Sequence, residues 1–282
     1  MGSGDTVKSS RQRIGTAESV PSLRIATALS HAFGDHGKES LAAWKRTVGN
    51  DLASGRCCRR RSLLMLDGDE IVAAGLLYGG DSVQRWRLGA FGVASSKRRL
   101  GLGRMLIDAI AGRLSASKAS EVACEVRASN TTAQRFFSSC GFTTESRLFD
   151  YLIRFADLRE SASGAVERVV IAKSWESVSH YFSGGIGIRS PHIVSSHAKE
   201  AGTLLLHLPG QGAAVLRGRW LIDVACLIPS TAVFETLLCA AAGRVDRLTL
   251  RHVPEGSQLS RYIEPLGLET IDISWSLVRA VT

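Results

Sequence analysis

The sequence lacks any long apolar run. None of its 282 residues lies in a stretch that reaches the roughly 18 consecutive apolar residues needed to span a bilayer. The first 13 residues, MGSGDTVKSSRQR, also lack the hydrophobic segment of a signal peptide. We therefore expect a cytoplasmic protein with no membrane partner, whose residues 1–15 form a flexible tail.

Paired metal-ligand motifs are missing as well. The six cysteines form no CxxC pair, and the seven histidines show no HxxxH or other ligand spacing. The sequence thus predicts no metal site. Four of the cysteines lie in apolar segments, where a buried reduced thiol is the usual state, and free thiols agree with a cytoplasmic location.

The best-known phosphate-binding fingerprints are also absent. There is no GxGxxG followed by an acidic residue about 20 positions later, and no GxxxxGK[ST]. What is present is K97-R-R-L-G-L-G-R104, a glycine turn with four cations between an apolar run (86–94) and a helix-like run (105–110). This turn is the main candidate for a ligand-binding site in the sequence.

Positive charge is concentrated in the first half of the chain. Residues 1–165 carry 24 Lys and Arg against 16 Asp and Glu, a net charge of +8, whereas residues 166–282 carry 11 against 10, a net charge of +1. A basic half favours an anionic ligand there. A basic surface that binds no ligand would give the same net charge.

Periodicity divides the chain into alternating strands and helices. In the first half we predict helices at 20–33 and 40–53, at 102–110 directly after the glycine turn, and at 133–140. The apolar face of the helix at 102–110 is predicted to consist of Leu102, Met105, Leu106, Ala109 and Ile110. Strands are predicted at 62–66, 71–78, 86–94, 122–126 and 149–155. The second half repeats this plan, with strands at 203–208, 213–216, 220–228, 248–251 and 271–278, and helices at 234–241 and 259–266.

The two halves can be overlaid directly. A shift of 126 residues places Gly141-Phe142 on Gly267-Leu268, and a shift of 133 is needed to align the earlier strands. By this alignment the second copy is the first copy without residues 97–103. Such self-similarity indicates two homologous α/β units, only one of which keeps the turn.

We therefore predict an α/β fold of two tandem units. Each has a mixed central sheet flanked by helices, and two strands of the first unit splay apart. The predicted boundaries are a tail at 1–15, a first domain at 16–157, a linker at 158–165 and a second domain at 166–282.

The chemistry of the turn favours a diphosphate. The start of a helix presents unpaired backbone N–H groups and a partial positive charge, which together attract anions. Gly101 and Gly103 allow close approach of a ligand, and Lys97, Arg98, Arg99 and Arg104 can add charged contacts.

The order strand, RxxGxG, helix, strand, Asn-xx-Ala-xx-Phe-Phe resembles the GNAT superfamily of acyl-CoA-dependent N-acyltransferases. The residues that carry the resemblance are Leu88-Gly-Ala-Phe-Gly-Val93, Arg98-Arg-Leu-Gly-Leu-Gly103, Glu125-Val-Arg127 and the segment from Asn130 to Phe142. The resemblance covers about residues 62–155 and is densest at 86–142.

This resemblance implies a set of cofactor-binding residues. The pyrophosphate of acetyl-CoA or another acyl-CoA would be held at 99–104, which comprises Arg99, Leu100, Gly101, Leu102, Gly103 and Arg104, with Arg98 beside them. Pantetheine would bond main-chain groups near Phe91 and Val93. Asn130 and Phe137 correspond to family positions near the pantetheine arm and the leaving thiolate.

The resemblance also implies a general base. Glu125-Val-Arg127 followed by Asn130 is similar to the branch that acetylates protein N-terminal amines, where the Glu of this motif removes a proton from the amine. A Glu facing solvent or paired with Arg127 is the alternative. The family commonly has Tyr where this chain has Phe137, and Phe cannot protonate a leaving thiolate.

These features favour an N-acyltransferase that passes an acetyl or other acyl group to a primary amine by direct attack. The acceptor would be a small molecule or a peptide, and the acyl length is open. Nucleic acid is the less favoured partner, and a homodimer is open. The alternatives are a non-catalytic acyl-CoA-binding protein, aminoacyl transfer from tRNA, and other acyl-thioester chemistry on the same fold.

Overall fold

The computed structural model describes residues 12–33, 41–79, 84–154, 156, 158, 166–185, 187, 189, 191–245 and 247–281. These residues form the following strands: β1 Gln12–Thr16, β2 Leu63–Asp67, β3 Glu70–Gly79, β4 Arg85–Val93, β5 Glu121–Arg127, β6 Thr143–Ile153, β7 Val170–Ile171, β8 Thr203–Leu208, β9 Gly212–Arg217, β10 Trp220–Cys226, β11 Leu248–Pro254 and β12 Glu269–Ala280. The helices are α1 Ser22–Phe33, α2 Leu41–Ala53, α3 Leu102–Ser115, α4 Thr131–Ser139, α5 Ser179–Gly184, α6 Pro191–Ala198, α7 Thr231–Ala242 and α8 Ser260–Ile263. Among the described residues, none of these helices has both the length and the apolar character to cross a bilayer.

The chain packs into two compact units that do not follow chain order. The first contains the described residues of 1–124 together with 136–143 and 278–281, and the second contains 125–135 and the described residues of 144–277. The predicted linker at 158–165 lies almost entirely outside the described residues. The predicted domain boundaries therefore stay a prediction.

The first unit is built on a sheet in the order β1-β2-β3-β4-β5. Its first four strands pair antiparallel, and β4 pairs parallel with β5. Helix α1 covers one face, where Ile25 and Leu29 pack with Leu76 of β3. Helix α3 covers the other face, since Ile110 lies where a side chain at Gly75 would point.

The second unit has the strand order β12-β6-β11-β10-β9-β8-β7. Strand β6 pairs antiparallel with β11, with Ile153 opposite Leu248, and β10 pairs parallel with β11. Helix α7 is buried along most of its length against β8–β11. Helices α5 and α6 pack on a separate cluster that includes Leu205 and Val215.

The predicted α/β class, with two units that each have a mixed sheet flanked by helices, is confirmed, and the predicted strands and long helices are present. Two local expectations differ. Residues 12–15, placed in the tail, form β1, because Ile14 pairs through its backbone with Met65 while its side chain stays exposed. Met105, placed on the buried face of α3, is 51% exposed, and Ile107 is buried instead.

The difference between the two copies is spread over two elements. The connection from β4 to α3 covers residues 94–101, and the connection from β10 to α7 covers only 227–230. Helix α7 is also two residues shorter than α3, with 12 residues against 14. Six of the seven residues that the overlay predicts to be lost are thus four of the turn and two of the helix.

Candidate functional site

The glycine turn has an unusual backbone. After a short 3₁₀ turn at Ser95–Lys97, Arg99 has φ 63° and Gly101 has φ 79°, both in the left-handed region. Helix α3 then begins at Leu102. Left-handed residues within a turn point successive N–H groups to one side and form a concave anion site.

The N–H groups of this turn have no hydrogen-bond partner in the described part of the chain. Within the described chain, the backbone N–H groups of residues 99–104 donate no hydrogen bond, and the first to do so is that of Met105, to Gly101 O at 3.1 Å. Gly101 provides no side-chain cap. Six successive donors and the positive end of a 14-residue helix are therefore available to an anion.

Three of the four cations expected at the turn are instead tied to the protein. Lys97 Nζ lies 2.8 Å from Asp67 Oδ2, and this hydrogen bond is the main cause of a raised pKa for Lys97. Arg98 donates to Ala32 O at 2.7 Å and to Val93 O at 3.3 Å. Arg104 donates to Ser139 O at 2.7 Å.

Arg99 is different. Its side chain is exposed, and it forms no hydrogen bond or ion pair with any described residue. Arg98 thus braces the turn between the end of α1 and the end of β4, while Arg99 is the cation at residues 97–104 that can reach a ligand without breaking a contact.

The two glycines have different roles. A Cβ on Gly101 would meet no atom within 4 Å, so its φ of 79° is the reason for glycine there. A Cβ on Gly103 would lie 3.0 Å from Phe136. Gly103 therefore serves the packing of α3 on Phe136, whereas the sequence analysis assigned both glycines to ligand approach.

Strand β4 has an open edge just before the turn. It pairs with β5 at Arg85–Glu121, Trp86–Val122 and Arg87–Ala123, and then continues to Val93 with no further pair recorded to β5. Ala94 N donates to Val72 O on the β3 side. Because N–H groups alternate in an antiparallel ladder, those of Phe91 and Val93 point away from β3, to the open edge.

Aromatic rings line the same region of the first unit. Phe91 stacks on Phe136 at 5.6 Å between centroids, and Phe137 contacts both rings edge-on. Phe137 is 6% exposed and also packs on Phe142 at 5.1 Å. The residue at the family's Tyr position is therefore a core residue of this unit.

Glu125 and Asn130 lie in the second unit. Glu125 Oε2 is 3.6 Å from Nδ1 of His252, and the Glu125 side chain is 26% exposed. Asn130 Oδ1 accepts a hydrogen bond from Ala133 N at 3.0 Å and so caps helix α4. Arg127, the alternative partner for Glu125, pairs with Asp272 at 3.1 Å.

His252 was missed by the sequence analysis. It lies in β11 at an irregularity of the pairing with β6, and its φ is 60°. Its backbone N–H donates to Asp150 Oδ1 at 2.8 Å, and Arg251 Nε donates to Asp150 Oδ2 at 2.8 Å. Burial lowers the pKa of His252, and the nearby Arg251 adds to this, although the Glu125 and Asp150 carboxylates oppose it.

The overlay of the two sequence copies gives one signal at the position of Glu125. The 126-residue shift places Arg251 on Glu125, so the second copy has a cation where the first has a carboxylate. It gave no indication of His252, because the same shift places His252 on Val126, an apolar residue of the strand.

The start of α7 contrasts with the start of α3. Ser230 precedes α7, and its Oγ accepts a hydrogen bond from Val233 N at 3.2 Å. The connection has no left-handed residue, since Leu227 to Ser230 are absent from the residues with positive φ. One donor of α7 is thus already satisfied by the chain itself.

Residues 26–142 match the model of the acetyltransferase (GNAT) family. A structure from Pyrococcus horikoshii, provisionally described as an acetyltransferase, matches with a TM-score of 0.70 at 15% identity and covers 100% of this chain and 93% of that one. A GCN5-related N-acetyltransferase from Sphaerobacter thermophilus gives 0.67 at 15% identity, with 96% of both chains covered. A tandem GNAT protein from the clavulanic acid biosynthesis pathway gives 0.61 at 12% identity, with 96% and 99% covered. None of the curated proteins is similar enough in sequence to count as a relative.

Residues 26–142 therefore form a domain that matches the GNAT acetyltransferase family. The resemblance inferred from the sequence is confirmed. Members of this family in general use acetyl-CoA and catalyse acyl transfer.

Proposed function

We propose that this protein transfers an acetyl or other acyl group from an acyl-CoA to a primary amine. The observation that carries the proposal is the row of six N–H groups at 99–104, which have no partner among the described residues, in a domain that matches a family that uses acetyl-CoA. A diphosphate has enough oxygens to accept from such a row, and the helix end favours its charge.

The remaining proposed contacts follow from the same unit. Arg99 is positioned to add a charged contact to the phosphates. The outward N–H groups of Phe91 and Val93 suit the two amides of pantetheine, which need hydrogen-bond partners when they leave water. The exposed Leu100 and Met105, at 61% and 51%, offer apolar surface beside the turn.

The proposed chemistry is direct attack. The acceptor ammonium gives a proton to the carboxylate of Glu125, and the resulting amine forms a C–N bond to the thioester carbonyl as the C–S bond breaks. The second amine proton goes to the leaving thiolate, which departs as free CoA. A main-chain N–H near Val93 is the proposed donor to the oxygen on which charge develops.

Protonation of the thiolate has no assigned residue. Phe137 is buried in the aromatic cluster and has no hydroxyl. A thiol pKa of about 8.5 makes the thiolate a tolerable leaving group, so water is sufficient to carry the amine proton to it.

The acceptor is proposed to be a small-molecule or peptide amine, in the cytoplasm. The six cysteines, all described, are free thiols, which suits that compartment. The test is release of free CoA from acetyl-CoA in the presence of N-terminal peptides, polyamines, amino sugars and amino acids. Amine-dependent release supports the proposal; tight binding of acetyl-CoA with no release by any amine would contradict the transfer step.

The second candidate is a protein that binds acyl-CoA without turnover. The burial of Phe137 at the family's Tyr position favours it. The same assay separates the two functions, because a sensor would bind acetyl-CoA and release no CoA.

A further inference from the structure

His252 is held in a backbone conformation that non-glycine residues rarely adopt. Its φ is 60°, and its side chain is 16% exposed. The pairing of β11 with β6 is regular up to Leu250 and resumes at Val253, so the irregularity is confined to the two residues between them. Strain of this kind persists where the surroundings impose it, and it is concentrated at functional sites.

The bulge is anchored by buried polar groups. Asp150, which is 5% exposed, accepts hydrogen bonds from His252 N and Arg251 Nε. Arg189 donates to Arg251 O at 3.2 Å, and its own N–H donates to Asp223 Oδ2 at 2.9 Å. These bonds fix the backbone at 251–252.

None of these anchoring bonds needs an imidazole. Asp150 binds the backbone N–H of residue 252, which any residue but proline provides, and glycine or asparagine would fit φ 60° with less strain. The imidazole itself faces two carboxylates, with Nδ1 3.6 Å from Glu125 Oε2 and Nε2 3.9 Å from Asp150 Oδ1. The bulge thus directs Nδ1 toward Glu125.

We propose that His252 is a positioning residue that orients the carboxylate of Glu125 through Nδ1 so that Glu125 can accept the proton of the amine substrate. This inference rests on the proposed function, in which Glu125 is the general base. His252 belongs to the second sequence copy, and its proposed role is in the proton transfer by Glu125, which belongs to the first copy.

The protonation state of His252 fits this role. Burial lowers the pKa of His252, which favours the neutral ring near pH 7, and the facing charges are Glu125 on β5, Asp150 on β6, Arg251 on β11 and Arg189. A neutral imidazole donates one N–H and leaves the carboxylate able to take a proton. An imidazolium would hold Glu125 in an ion pair and make it a weaker base.

The first experiment compares His252→Gly and His252→Asn in the full chain. Both residues adopt φ 60° readily, and Asn keeps a shorter N–H donor. With any amine that supports CoA release, we expect His252→Gly to lower kcat about tenfold to a hundredfold without raising KM for acetyl-CoA. We expect the acidic limb of its kcat profile to move to higher pH, and His252→Asn to recover part of the rate.

A second measurement does not depend on turnover. The His252 ring signal is assigned in the NMR spectrum by its loss in His252→Asn, and its titration is followed in wild type and in Glu125→Gln. Since the Glu125 carboxylate raises the pKa of His252, the midpoint should move to lower pH in Glu125→Gln.

The outcomes separate this inference from the proposed function. If Glu125→Gln abolishes transfer while a folded His252→Gly keeps wild-type kcat and pH profile, His252 has no part in the chemistry and the proposed function stands. An unchanged His252 titration in Glu125→Gln would equally overturn the contact. If no amine supports CoA release in wild type, the proposed transfer fails by itself, whereas a shifted midpoint would still support the contact.

Discussion

At the scale of single residues, the site separates side chains that brace the turn from those available to a ligand. Arg98 and Arg99 are neighbours with the same charge, yet Arg98 donates to two backbone carbonyls of the first unit and Arg99 has no partner among the described residues. Substitutions of Arg98 and Arg99, which are adjacent cations of the same motif, are therefore expected to have different effects.

The first prediction concerns these arginines. We expect Arg99→Ala to weaken acetyl-CoA binding about tenfold with an unchanged melting temperature, because it removes one charged contact. Arg98→Ala should lower the melting temperature, because it removes the contacts to Ala32 and Val93. Calorimetric titration and thermal melts measure both effects, with Arg244→Ala, an exposed arginine of the second unit, as control. Equal affinity in Arg99→Ala and wild type would exclude Arg99 from the phosphate site.

The second prediction concerns Glu125. Replacement by Gln keeps the shape of the side chain and removes its basicity, so kcat should fall by about 10² to 10⁴ while the affinity for acetyl-CoA is retained. Glu121→Gln on the same strand is the matched control, because Glu121 pairs with Arg85 and has no proposed catalytic role. Wild-type turnover in Glu125→Gln would remove Glu125 from the mechanism.

The third prediction concerns the pH dependence of stability. The pKa of His252 is lowered in the folded state, so the unfolded chain binds the proton first and stability decreases as pH falls below about 6.5. Urea unfolding at pH 7.5 and 5.5 should show a smaller loss of stability in His252→Asn than in wild type. His207, whose pKa burial also lowers, contributes separately and stays in both proteins. An equal loss in the two proteins would mean that His252 titrates alike in the folded and unfolded chain.

At the scale of elements, helices α3 and α7 occupy equivalent positions in the two sequence copies but begin in different ways. Helix α3 follows an eight-residue connection with left-handed residues at 99 and 101 and begins without a side-chain cap. Helix α7 follows four residues and is capped by Ser230. An open helix end gains an anion site and loses the stabilisation of about 1 kcal/mol that a Ser cap supplies.

The fourth prediction uses this difference. Gly101→Ala places a Cβ on a residue at φ 79° and should cost about 1–2 kcal/mol of stability, as should Gly68→Ala at φ 60° in the β2–β3 turn. Only Gly101→Ala should also weaken acetyl-CoA binding, because the strain distorts the row of N–H donors. Denaturant titration and calorimetry on the two variants test this. Equal acetyl-CoA affinity in the two variants would show that the conformation at Gly101 does not matter to the ligand.

The elements show what could be predicted from sequence and what could not. The strands and helices were found because their apolar residues repeat with periods of 2 and 3.6, and the turn because glycines and cations interrupt that repeat. Most of strand β1 falls in the segment predicted as a tail, because it pairs through its backbone at an exposed edge and has no buried apolar pattern. The pairing of Glu125 with His252 could not be found, because it depends on a bulge and on residues 127 positions apart.

At the scale of the whole molecule, the two copies share a plan and differ at the helix start that we propose binds a diphosphate in the first copy. The pairing of β6 with β11 shows that a strand from the first half of the sequence completes the sheet of the second unit. The second copy therefore has a structural role that deletion experiments would not separate from a catalytic one, so point substitutions are the better probe.

The last prediction is the stoichiometry of binding. Of the two equivalent helices in the described chain, α3 has the uncapped row of donors and α7 is capped, so one acyl-CoA should bind per chain, and acetyl-CoA at about 100 times its Kd should stabilise the protein by about 2.7 kcal/mol. Ser230→Ala should lower stability by about 1 kcal/mol and leave that affinity unchanged, since α7 holds no ligand. Native mass spectrometry and calorimetric titration report the number of bound molecules. Two acetyl-CoA molecules per chain, or a weaker affinity in a folded Ser230→Ala, would place a phosphate site at α7 and contradict the assignment of the turn at 99–104 as the sole one.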